Sequence, residues 1–103
     1  YSTGPHEEDA KNLRNSIVPI FEEYDVDLVF NGHDHSYERS KVNDIYYIVT
    51  GGGGAPMYDQ EKESQFSQIY KTENQFCCVE INNNEVHIRV YDEDLNIIDS
   101  FQI

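Results

Sequence analysis

The chain is poor in positive charge. Seven Lys and Arg residues stand against twenty Asp and Glu among 103 residues, a net charge of -13. That balance argues against a nucleic-acid surface and against docking on anionic membranes, because both need basic patches. It also repels a phosphate ligand unless bound cations reverse the local field. No apolar run approaches the roughly 20 residues that a membrane helix needs, and no segment reads as a signal peptide. Cysteine is scarce. Cys77 and Cys78 are adjacent, with no C-x-x-C. On a strand their side chains point to opposite faces, so they are poorly placed to bond each other and read as core and surface fillers. They leave the redox compartment open. An initiator methionine is lacking as well: the chain opens on Tyr1, as expected of a piece cut from something longer or of a processed start.

What is present suffices for one domain with a modest core. YSTGPHEED reads as a polar loop punctuated by Gly4 and Pro5. EEDAKNLRNSIVPIFEEY then reads as a helix, with Leu13, Ile17, Ile20, Phe21 and Tyr24 on one apolar stripe and Glu7, Glu8 and Asp9 suiting its start. Pro19 removes one helical hydrogen bond and should kink the helix near Asn15 to Val18. VDLVF, residues 26–30, reads as a strand covered on both faces. NGHDHSYERS reads as the loop leaving it. IYYIVT, residues 45–50, is a second strand that stops at Gly51 to Gly54. Residues 55–74 look irregular, with a short helical turn expected around 64–70. The last third reads as an antiparallel meander: QFCCVEIN, EVHIRVYD and IIDSFQI. Asn82 to Asn84 make one of its turns, and Val86, Ile88 and Val90 share one face.

Only four histidines occur, and two of them, His33 and His35, sit one residue apart after Gly32. In an extended segment such side chains point the same way, so both imidazoles face one site. The C-terminal end of a strand is where open α/β sheets bind ligands. Gly32 lets the backbone approach closely or take an unusual angle. Neutral imidazole is a common metal ligand, and nitrogen with oxygen donors suits Zn, Fe, Mn or Co. The plain alternative is a pair of exposed polar loop residues. Two imidazoles do not complete a site in any case, since tetrahedral zinc takes four ligands. Asp34, between them, reads as a solvated loop acid. His87 reads as a solvated strand residue, and Glu38 and Arg39 as braces of the loop. Gly51 to Gly54 lack the G-K-S/T ending of a P-loop and read as a turn passing close to the histidine loop.

NGHDHSYERS resembles the last metal-binding motif of the calcineurin-like metallophosphoesterases, and its Tyr-Glu-Arg tail looks most like the purple acid phosphatase branch. YSTGPH, LRNSIVPIFEEYDVDLVF, IYYIVTGGGGAP and DEDLNIIDSFQI are similar to further segments of that family, so the resemblance covers most of the chain. It implies an α/β fold in which residues 1–103 form a C-terminal portion of a four-layer α/β sandwich: one main helix, strands of one sheet and the closing meander. It implies a phosphatase acting on phosphate esters through a metal-bound water or hydroxide. Its two divalent or trivalent metals (Fe, Zn or Mn) would be contacted by His33 and His35, one each. His6 would contact the substrate phosphate and protonate the leaving group; the plain alternative is an idle loop histidine.

The family's Asp-x-His, Gly-Asp and Gly-Asn-His motifs do not occur in this chain. A missing N-terminal half of the same domain is therefore an expected partner. The chain alone should bind metal weakly or not at all and should not turn over substrate. Apolar surface meant for that half favours self-association. The branch suggests a secreted or cell-envelope parent. The competing expectation is a non-catalytic, acidic, β-rich binding or regulatory module.

Overall fold

The computed structural model describes residues 1–103. A single helix, α1 (Glu7–Glu23), precedes seven strands: β1 (Leu28–Asn31), β2 (Tyr37–Val42), β3 (Ile45–Thr50), β4 (Ser67–Lys71), β5 (Gln75–Asn82), β6 (Glu85–Asp92) and β7 (Ile97–Gln102). They form two sheets. The first has the order β1-β3-β2-β4, with β1 parallel to β3 and the other pairs antiparallel. The second is the expected meander, β5-β6-β7.

Strand alternation builds three layers from these parts. Ile45 and Tyr47 of β3 and Val42 of β2 face α1, where Val18 and Phe21 pack against them. Ile48 of β3 and Tyr37 of β2 face the other way and meet Ile88 and Val90 of β6. Removing these side chains from water contributes roughly 1.5–3 kcal/mol each. The layers are thus helix, mixed sheet and meander.

Several expectations need correction. Residues 37–40, read as loop, belong to a strand, β2, whose burial is nearly continuous. The signal lay in Asn43 and Asp44, which have φ of 47° and 67° and join Val42 to its partner Ile45. Two consecutive positive φ values are what a tight hairpin turn requires. Of the helical turn expected around 64–70, only a single turn closed by Ser67 N–H on Ser64 O at 3.2 Å is present, and residues 67–71 are β4, an edge strand. The sheet is not covered on both faces at β1, where Phe30 is exposed. The helix stripe is only half used: Leu13 is 60% exposed, and Ile20 and Tyr24 also face outward. The helix continues through Pro19 to Glu23.

Candidate metal centre

The candidate site lies at the C-terminal end of β1, where residues 32–36 turn back into β2. Its foundation is Asp34. This side chain is buried, not solvated as its polarity suggested. Its Oδ1 accepts the His6 N–H at 3.0 Å, and its Oδ2 accepts the Ser2 hydroxyl. One carboxylate therefore ties the segment before α1 to the histidine loop. Two glycines leave room for it. A Cβ on Gly4 would lie 2.8 Å from Asp34 Cγ, and one on Gly51 only 2.0 Å from the Asp34 carbonyl oxygen. Gly51 N–H also donates to Ser36 O at 3.0 Å. The glycine run is thus the close-passing turn expected of it.

Glu38 and Arg39 brace the site from opposite faces of β2, and not with each other. Glu38 is 0% exposed, and its two oxygens accept Thr3 N–H and Thr3 Oγ1–H, both at 2.8 Å. Arg39 reaches the meander, where Nε and Nη2 donate to Asp99 at 2.7 and 3.2 Å. Tyr37 donates to the same carboxylate at 2.6 Å. Burial pushes the Asp99 carboxyl up, but the hydrogen bonds from Arg39 and Tyr37 more than offset it, so Asp99 titrates below its ordinary value. Burial, and then that bond, push the Tyr37 hydroxyl well above its usual range.

The histidine loop is not extended, so the argument that His33 and His35 must point together does not hold for it. His33 has φ of 80°, a left-handed conformation uncommon outside glycine. Gly32, singled out for conformational freedom, does not use it: a Cβ there would meet nothing within 4 Å. Ser36 N–H bonds to Asp34 O at 2.9 Å, closing a tight turn around His35. The two rings consequently have different neighbours. His33 lies against the ring of His6, with centroids 4.0 Å apart. His35 stacks on Tyr58 at 4.3 Å, and its Nδ1 lies 2.9 Å from Pro56 O.

That last contact sets a tautomer. A carbonyl can only accept, so Nδ1 of His35 carries the hydrogen, and Nε2 of the neutral ring keeps its lone pair free. Tethering one ring nitrogen to a backbone carbonyl is how proteins orient a metal-binding histidine.

The structure brings His6, Asp9 and His33 into one cluster, their candidate ligand atoms all within 4.8 Å of one another. His6 Nδ1 lies 3.2 Å from Asp9 Oδ2, and His33 Nε2 lies 3.6 Å from the same oxygen. Sequence reasoning missed Asp9, which it treated only as an acid suiting a helix start. The available signal was its place three residues after His6, one turn along the helix. His87 lies far along the chain in β6, half-buried, with Nε2 3.5 Å from Glu85. Cys77 and Cys78 are unbonded and half-buried. Burial pushes the Cys77 thiol up.

The clustered donors are two imidazoles and a carboxylate, those of His6, His33 and Asp9; His35, with its free Nε2, is not among them. Donors of these types fit borderline divalent or trivalent cations and not a bare anion. The chain matches no family model. It is 42% identical over 60 residues, 57% of its length, to purple acid phosphatase 5 of Arabidopsis thaliana. It is 27% identical over 86 residues to glideosome-associated protein 50 (GAP50) of Plasmodium falciparum. The chain spans only 15% and 22% of the lengths of these two relatives. Among solved structures, GAP50 of Plasmodium superposes on the whole chain with a TM-score of 0.91 at 23% identity, 33% of that chain being covered. Vps29 of Entamoeba histolytica, solved in complex with Zn2+, matches 87% of the chain and 46% of its own with a TM-score of 0.50 at 22% identity. The chain is a C-terminal part of a calcineurin-like metallophosphoesterase fold, with purple acid phosphatases among its relatives in sequence.

Proposed function

We propose that this chain is part of a metal-dependent phosphoesterase that hydrolyses phosphate esters. In this reading His33 and His35 are two of the ligands of a pair of transition-metal ions, and His6 is the proton donor. The carrying observation is the His35 tether: Nδ1–H on Pro56 O leaves Nε2 as a fixed, free donor atom. Bound cations of this type supply Lewis acidity toward phosphoryl oxygens and lower the pKa of water. The chain's own residues do the rest. His6 Nδ1 faces Asp9 Oδ2, which leaves Nε2 to hold a proton for a leaving oxygen. Asp34 fixes the backbone of His6 beside the loop. Tyr58 stacks on His35 and holds its ring plane.

The remaining ligands belong to a part of the domain outside these 103 residues. The acidic surface would oppose an anionic ester without the cations. The isolated chain is therefore expected to be inactive. The test is hydrolysis of p-nitrophenyl phosphate by the full-length natural protein. Turnover should vanish on chelation and return with Zn2+, Mn2+ or Fe. Turnover indifferent to chelation rejects the reading.

A second reading is a non-catalytic anchor or binding module. It is favoured by the superposition of the whole chain on GAP50, whose structure is described as the anchor in the inner membrane complex of Plasmodium. A full-length protein that folds, binds metal and yet shows no turnover on phosphate esters would select it.

A further inference from the structure

We infer that Tyr58 is a specificity-determining residue: its ring receives the leaving group of the ester and favours flat, uncharged, aromatic alcohols over small alkyl ones. The inference rests on the phosphoesterase reading above and names the leaving-group class of that site.

The argument starts from where the rings lie. Tyr58 stacks on His35 with centroids 4.3 Å apart and planes 12° from parallel. The same ring lies 5.7 Å from that of His6, tilted by 54°. Tyr58 is thus the ring that bridges His35, a proposed metal ligand, and His6, the proposed proton donor. Hydrolysis breaks the bond between phosphorus and the leaving oxygen. Water supplies the new oxygen on phosphorus, and the proton from His6 goes to the departing alcohol. A proton donor must come within hydrogen-bond reach of the atom it serves. The organic group on the leaving oxygen therefore lies beside His6, within reach of the Tyr58 ring. A flat aromatic group there gains offset-stacked or edge-to-face contacts, which rings make at centroid separations of about 4.5–7 Å.

A second observation concerns how Tyr58 is fixed. Its N–H donates to His35 O at 2.8 Å. Its carbonyl accepts the Tyr70 hydroxyl of β4 at 3.1 Å. Two residues earlier, Pro56 O holds His35 Nδ1 at 2.9 Å. The segment after the glycine run is therefore anchored to the histidine loop on one side and to β4 on the other. These bonds use the main chain of Tyr58, and its side chain is only half-buried. A ring that is already in place, with surface still open, loses little rotamer freedom when a ligand meets it.

Charge narrows the choice further. Asp9 stands 3.2 Å from His6, and Asp59, next to Tyr58, is exposed. Both place negative charge on the leaving-group side and disfavour an alcohol that carries a further anion.

The test compares phenyl phosphate with ethyl phosphate in the full-length natural protein, by kcat/KM. It is paired with calorimetric binding of benzylphosphonate and propylphosphonate, which cannot be hydrolysed. Tyr58→Ala should lower the aryl-to-alkyl ratio about tenfold or more in both measurements. Tyr58→Phe keeps the ring and should hold both ratios within about twofold. The hydrogen bonds at residue 58 are made by its main chain, so both variants retain the fold, which circular dichroism checks. Loss of the stack on His35 weakens both esters alike, so the ratio isolates contact with the leaving group. Ratios unchanged in Tyr58→Ala overturn the inference and leave Tyr58 a positioning residue for His35, with the phosphoesterase reading intact. Natural-protein turnover that is absent or indifferent to chelation overturns that reading, and this inference with it.

Discussion

The two halves of NGHDHSYERS behave in opposite ways. In residues 31–35 the histidines leave donor atoms free, and His33 is 66% exposed on its side chain with a strained backbone. In residues 36–40 the side chains are buried or tied: Glu38 to Thr3, and Tyr37 and Arg39 to Asp99. Asp34 is the exception that joins them, a buried anchor set between two histidines. One short motif therefore carries both the chemistry and the fixing of that chemistry to three layers. Substitutions in the second half should register in stability. Those at the histidines should register in ligand binding and turnover.

The largest effect expected belongs to the frame around the motif. Gly51→Ala places a methyl group 2.0 Å from a backbone oxygen that cannot swing away. It should lower unfolding free energy by about 3–5 kcal/mol, measured by urea denaturation. A loss under about 1 kcal/mol would mean that the turn and the histidine loop are not held together. Next comes Glu38→Ala. It strands two buried donors of Thr3 and should cost about 3 kcal/mol. If the midpoint barely moves, the second half of the motif is not the anchor described.

A smaller and pH-dependent effect is expected at Asp99. Its folded-state pKa lies below the ordinary 3.8. The stability that follows is complete above that ordinary value and is lost as pH falls through the lower folded one. Asp99→Asn should thus be less stable by about 1–2 kcal/mol near neutrality, with the gap closing at acid pH. Unfolding curves from about pH 7 down to about pH 3 check it; a constant gap would assign the effect to shape, not charge. The smallest stability effect is expected at His33→Ala, within about 0.5 kcal/mol. That variant sharpens the comparison, because the same change should remove ion binding.

The helix, β1, β3 and the meander were legible because their apolar residues recur with the right periods. β2 was not. Glu38 and Ser40 carry polarity into buried positions, which periodicity reads as exposure, and only the Asn43–Asp44 turn betrayed the hairpin. β4 is a polar edge strand, SQIYK, with the same difficulty. In the site, the H-x-H spacing drew attention to His33 and His35, yet spacing carried no sign of the turns that part their neighbours. Asp34 and Asp9 escaped notice for one reason. Their partners lie far away in sequence: Asp34 meets His6 across 28 residues, and Asp9 meets His33 only after the helix and β1 have intervened.

The central proposal is that His33 and His35 serve metal-dependent phosphoester hydrolysis on a frame held chiefly by Asp34, Glu38 and Asp99. The most direct measurement is p-nitrophenyl phosphate turnover by the full-length natural protein and its His35→Ala variant, each with its urea midpoint. The account predicts a fall of about 100-fold or more in turnover in a variant that stays folded, its midpoint lowered only by the lost Tyr58 and Pro56 contacts. Turnover retained by a folded His35→Ala protein would contradict it.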